Sequence, residues 1–214
     1  MMNNNDILLF SRALEGKIVK QVASCDAMTL ALTVNGELYL SGSAEIFKSM
    51  SLCFTKIADN ISYVTCNQES YGQYASVWYV TNDGDLYGFG YNSSGQQGDG
   101  TNVNVTVATK RASNVKIVKC SSDVTWYLTN NGDLYSCGYN YQYGQGGDSN
   151  SNVMVFTHRA SDVRQFEILN NGSATVYVTN GNVLYGVGYN GNGGLGRVLT
   201  NQMLLLHLSN LQLT

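Results

Sequence analysis

Short runs of apolar and β-branched residues alternate with Gly-, Asn- and Asp-rich breaks along most of the chain. Val77-Trp78-Tyr79-Val80-Thr81 is followed, across Asn82-Asp83-Gly84-Asp85, by Leu86-Tyr87-Gly88-Phe89-Gly90. An Asp-Gly pair between two such runs predicts a β-hairpin, because glycine accepts positive φ without a Cβ clash. A glycine-rich loop, Tyr91-Asn92 to Gly98, comes next. The unit returns at Asn131 to Asn140, at Gly181 to Asn190 with one extra residue, and at Asn35 to Gly42 without the loop. The turn glycines Gly36, Gly84, Gly132 and Gly181 are 48, 48 and 49 residues apart, a spacing that marks a repeat architecture.

Other positions keep the same period. Thr33, Thr81, Thr129 and Thr179 end the strand before each turn, and Leu38, Leu86, Leu134 and Leu184 begin the strand after it. Arg12-Ala13, Arg111-Ala112 and Arg159-Ala160 each precede an apolar run, with a further strand expected before each Arg-Ala, such as Val103 to Ala108 or Val153 to Thr157. Residues 1 to 24 are expected to hold a first strand pair. Helical periodicity is missing, and turn signals recur at short intervals, so the expectation is an all-β chain with three or four antiparallel strands per unit. One repeat domain, 1-214, is expected, with repeats at 8-54, 55-102, 103-152 and 153-200 and the start of another at 201-214.

The pattern L-Y-x-x-G-x-N-x-x-G-Q-x-G, here Leu86 to Gly98 with copies at Leu134 to Gly146 and Leu184 to Gly196, resembles the regulator of chromosome condensation repeat family. The resemblance spans residues 16 to 214 and implies a β-propeller, in which each sheet buries both faces against its neighbours. The family ordinarily has seven blades. About four are present here, so the expected architecture is a partial or open propeller, one completed by another chain, or a ring of unusually few blades. The first repeat has Ser43 to Ser51 in place of the loop motif, and the prolines common in the family are missing.

Composition narrows the functional classes. Charged residues make up 13%, the formal net charge is -3 and the pI about 5.2. That balance argues against nucleic acid as a partner, which would need a basic field. No run is long and apolar enough for a membrane span, and the first residues lack a signal-peptide pattern, so a cytoplasmic protein or part of an assembled particle is expected. Cys25, Cys53, Cys66, Cys120 and Cys137 form no C-x-x-C pair, so no metal site is expected. Cys66 and Cys120 share a repeat position and read as core residues.

Residues that recur with the repeat are assigned to structure: the four leucines, Trp78 and Trp126, Gly90, Gly138 and Gly188, and Asn92, Asn140 and Asn190, whose side chains are expected to bond loop backbone groups. The Gly-rich loops lack the lysine and following helix of a phosphate cradle. His158 and His207 stand alone, with no nucleophile–base–acid order, so no enzyme, catalytic residue or cofactor is expected. Function is sought where the repeats differ. Val64 to Leu86 is 22 residues against 16 for Val118 to Leu134, which places an insertion at Asn67 to Ser76. Tyr71 and Tyr74 on that loop, with Tyr141 and Tyr143 on another, are the candidate protein-binding residues, since tyrosine offers apolar area with a polar tip. The leading expectation is a non-enzymatic binding module whose loops and faces engage another protein. The alternative is a structural or host-attachment subunit of a larger assembly, such as a virus or phage particle, with neighbouring subunits as a homo- or hetero-oligomer. The resemblance also implies a third reading, nucleotide exchange on a small GTPase.

Overall fold

Strands pair in the order in which they occur. The protein is seen in a computed structural model that describes residues 12–25, 28–44, 49–67, 75–121, 123–140, 145, 150–169, 172–191 and 193–195. The first sheet holds β1 (Val19–Cys25), β2 (Met28–Thr33), β3 (Leu38–Ala44) and β4 (Ser49–Ala58). The second holds β5 (Ile61–Cys66), β6 (Ser76–Thr81), β7 (Leu86–Gly90) and β8 (Val105–Ala112). The third holds β9 (Val115–Ser121), β10 (Val124–Thr129), β11 (Leu134–Gly138) and β12 (Val153–Ala160). The fourth holds β13 (Val163–Leu169), β14 (Ala174–Thr179) and β15 (Leu184–Gly188), three strands among the described residues. All pairs are antiparallel, as the repeat pattern predicts.

The recurring threonine closes each hairpin twice. Its N–H donates to the carbonyl four residues on, at Glu37, Asp85, Asp133 and Val183, over 2.9 to 3.0 Å. Its Oγ1 accepts the N–H of the same residue, at 3.1, 3.0, 2.9 and 3.3 Å. The turn between them needs one left-handed residue. Gly36, Gly84 and Gly132 fill that place with φ of 80, 82 and 88°. In the fourth turn Asn182 fills it, with φ 59°, and not Gly181 as the sequence spacing suggests. Asparagine tolerates that conformation, so the turn keeps its length and the 49-residue spacing comes from matching the wrong residue.

The strands expected before Arg-Ala instead contain it: Arg111-Ala112 and Arg159-Ala160 end β8 and β12. Arg12-Ala13 lies in a short 3-10 turn, Arg12–Leu14, and the strand expected before it falls on residues 1–11, outside the described residues. Where the first repeat lacks the loop motif, β3 and β4 continue pairing to Ala44 and Ser49, and a longer hairpin takes its place.

Two compact units divide the chain. The first comprises residues 1–91 and 104–113 and carries the first and second sheets; the second comprises 92–103 and 114–214 and carries the third and fourth. In the first unit, Leu30, Leu32 and Leu38 pack with Ile61 and Val64 in one core. The Ile61 N–H donates to the Gly36 carbonyl at 2.9 Å, and the Gln21 amide grips both peptide groups of Val64, at 2.7 and 3.3 Å. In the second unit, Trp126, Leu128 and Leu134 pack with Val163 and Phe166, and the Val163 N–H donates to the Gly132 carbonyl at 2.8 Å. Burying one such leucine removes enough apolar surface to contribute roughly 1.5–3 kcal/mol.

Leu38, Leu86 and Leu134 are fully buried, as are Trp78 and Trp126. Leu184 is only half-buried, a departure from its assigned core role. All five cysteines carry thiols rather than disulfides: Cys25, Cys66 and Cys137 are buried, Cys120 is half-buried and Cys53 is exposed.

Candidate functional site

The loop after β7 is built from its own polar side chains. The Asn92 Oδ1 accepts the Gln97 N–H at 2.8 Å, while its amide donates to the Thr101 and Val103 carbonyls at 3.1 and 3.0 Å. Asn140 Oδ1 accepts from the Gln145 N–H at 2.9 Å and Asn190 Oδ1 from the Leu195 N–H at 2.8 Å. The Gln96 amide donates to Asp123 at 2.7 Å, and Ser94 to the other oxygen of that carboxylate at 3.2 Å. These groups are spent on holding the loop, which supports their structural assignment.

Gly90 and Gly138 end their strands with φ of 115 and 102°. A Cβ there would stand 2.2 Å from the Ala75 carbonyl oxygen and 2.0 Å from that of Asp123. The same carbonyls accept the Tyr91 and Tyr139 N–H at 2.9 Å, so glycine is required by close backbone approach.

The insertion of the second repeat is closed at its base by Asn67, fully buried, whose Oδ1 accepts the Ser76 N–H at 2.7 Å. Tyr71 and Tyr74 lie outside the described residues, and so do Tyr141 and Tyr143 and His207. The structure therefore neither gathers nor separates the four candidate tyrosines. Other tyrosines have a structural use, stacking across each hairpin: Tyr79 on Tyr87 at 5.3 Å, Tyr127 on Tyr135 at 4.9 Å and Tyr177 on Tyr185 at 5.0 Å. Burial pushes the phenol pKa of Tyr79, Tyr127 and Tyr177 upward.

One grouping has the composition of a hydrolase triad without its geometry. Ser161 donates to Asp133 at 2.6 Å, and the His158 Nε2 lies 3.0 Å from the Ser161 Oγ and 3.5 Å from Asp133. A relay needs the acid and the hydroxyl on opposite ring nitrogens; here both face Nε2. The second sheet has the same brace in another form, Asp85 held by Lys110 at 2.7 Å and Ser113 at 2.8 Å. His158 is a surface member of that brace, as expected of a lone variable position. Among the described residues no group of His, Cys, Asp or Glu could hold a metal ion.

Sequence reading missed the most distinctive surface. Register places Val19 opposite Thr33 as Ile61, Val115 and Val163 stand opposite their threonines. Those three are buried; Val19 is 38% exposed. Val22 is 68% exposed, while its counterparts Val64, Val118 and Phe166 are buried. Beside them, other sheets carry a hydrogen-bonded polar pair, Asn82 on Asn60 at 2.8 Å, Asn130 on Asn114 at 3.1 Å and Asn180 on the Asp162 carboxylate at 2.7 Å. In the first sheet those places belong to Val34 and Ile18, 50 and 69% exposed. That substitution of apolar for polar residues was the available signal.

These sheets define a protein with a β-propeller fold of the regulator of chromosome condensation type, the family its repeats resemble. Among solved structures, human WBSCR16 superposes with a TM-score of 0.65 at 21% identity, over 80% of this chain and 47% of that one. Yeast RCC1 (Prp20), in its complex with Kap60, gives a TM-score of 0.69 at 16% identity, over 91% of this chain and 49% of that one. Prp20p of Saccharomyces cerevisiae, a structure presented with its binding to Gsp1p and histones, gives 0.54 at 15%, over 94% and 64%. The chain thus spans about half the length of the first two. No family model matches the sequence, and no curated protein matches it.

Proposed function

We propose that this chain is a non-enzymatic protein-binding propeller module. The observation that carries the reading is the exposed apolar group Ile18, Val19, Val22 and Val34, at positions that the other sheets bury or fill with hydrogen-bonded polar side chains. Monomeric surfaces rarely leave such residues together unless something covers them. The protein complexes described for yeast Prp20 favour the same class of partner. Within this reading Tyr71, Tyr74, Tyr141 and Tyr143 add contacts from the loops. The test is quantitative cross-linking of the 214-residue chain in its native source, wild type against the Tyr71→Ser/Tyr74→Ser double variant. Partners recovered with the wild type and depleted with the variant are expected; an unchanged set overturns the loop assignment. Release of a fluorescent nucleotide from small GTPases is expected to proceed at its spontaneous rate, and acceleration would overturn the non-enzymatic reading.

A second reading, a subunit of a larger assembly, is favoured by the half-buried apolar positions of the fourth sheet, Val176, Val178 and Leu184. It predicts that the protein sediments with particles in its source rather than alone.

A further inference from the structure

Each unit shows how one sheet covers the next. The covering sheet contributes an exit face from its second and third strands: Leu30, Leu32 and Leu38 in the first unit, Trp126, Leu128 and Leu134 in the second. The covered sheet contributes an entry face from its first strand: Ile61 and Val64, or Val163 and Phe166. Hydrogen bonds then fix the register, from the first entry residue to the turn carbonyl in both units and through Gln21 in the first.

Among the described residues, both halves of this junction keep apolar positions that are more accessible than their counterparts in the same chain. The first sheet has the entry residues Val19 and Val22 exposed. The fourth sheet has the exit residues Val176, Val178 and Leu184 half-buried, where the equivalent residues of the other sheets are fully buried. Gln165 pairs with Val178 as Gln21 pairs with Leu32, so it holds the place of the clasping glutamine, and it is exposed. Asn182 holds the place of the turn glycine.

We propose that the entry face of the first sheet receives the exit face of the fourth sheet of a second copy of this chain, head to tail. Val22 then packs against Val176, Val178 and Leu184. Gln165 takes both peptide groups of Val22, and the Val19 N–H donates to the Asn182 carbonyl. Such a contact is heterologous, using two different patches rather than one twice. The inference deepens the assembly reading by naming the partner, and it stands without the loop tyrosines.

The experiment is light scattering of the purified chain across a concentration series. A mass of at least twice 23.3 kDa is expected. Val22→Asp, on an exposed side chain that the fold does not need, is expected to give 23.3 kDa with an unchanged β spectrum. Leu184→Asp removes the other patch. Mixing these two variants leaves one intact entry and one intact exit, so a one-to-one pair forms and grows no further. Should Leu184→Asp not fold, Gln165→Ala takes over, with dissociation raised about tenfold by the loss of two hydrogen bonds. The Tyr71→Ser/Tyr74→Ser variant should keep the wild-type mass, so failure of the loop reading is seen separately. A wild type of 23.3 kDa at every concentration, or a multimer that Val22→Asp leaves intact, overturns the proposal.

Discussion

Replacing Gly138 by alanine tests the reading that glycine serves close approach rather than flexibility. The added Cβ would stand 2.0 Å from the Asp123 carbonyl oxygen and 3.1 Å from the Val124 Cα. Neither atom is the end of a flexible side chain, so the backbone of β10 and β11 must separate. Overpacking of this kind costs about 1–3 kcal/mol. The φ of 102° adds a further strain of about 1–2 kcal/mol. The total, about 2–5 kcal/mol, is a large part of the stability of an ordinary domain. For a chain of this size it corresponds to a fall in melting temperature of roughly 4–20 °C. Trp126 lies in the third sheet and Trp78 in the second, so a Trp78→Phe background makes indole fluorescence report the affected unit. Gly16→Ala is the control: φ is 73°, but nothing lies within 4 Å of its Cβ, so only conformational strain applies. Equal melting shifts for the two variants, or a Gly138→Ala protein within about 2 °C of wild type, would refute the close-approach argument.

Three further outcomes follow from other contacts. Thr129→Val removes the oxygen that accepts the Asp133 N–H at 2.9 Å and should cost about 1 kcal/mol, while Thr129→Ser keeps it; urea midpoints separate them. Asn92→Ala strands the buried partners of that side chain, with an expected loss of about 2–4 kcal/mol and faster hydrogen exchange at Gln97. The Lys110 and Ser113 hydrogen bonds hold the Asp85 carboxyl below the usual carboxylate range. Its contribution is therefore complete above the unfolded value of 3.8 and lost as pH falls through the lower folded value. Melting curves of wild type and Asp85→Asn should separate at neutral pH and converge in acid; a constant difference would refute the pairing.

The hairpins were legible because each depends on a local signal, a threonine, a left-handed turn residue and a leucine, repeated four times. The loop asparagines and strand-end glycines were legible for the same reason. Alignment by residue type misled at the fourth turn, since the turn selects φ, and Asn182 supplies it as well as glycine. The extent of β8 and β12 was also hidden, because Arg111 and Arg159 look like a break while their side chains lie half-buried on the sheet. Exposure of Val22 was beyond sequence reading. Val22 and Val64 are the same residue at the same repeat position, and what separates them is the presence of a covering sheet. Ile18 and Val34 did carry a signal, as apolar residues at places where the repeat puts polar side chains.

Every sheet is assembled from consecutive strands, and this bears on how the chain folds. Among the described residues no strand pairs with one from a distant part of the sequence, so loop-closure entropy stays small at each of these pairing steps. Pairing between neighbours in sequence favours faster folding than the distant pairings of a sandwich of similar size. On the ribosome, each sheet can complete its hydrogen bonding as soon as its own last strand has emerged. The first sheet to form would then present its exit residues to the next as that one is synthesised.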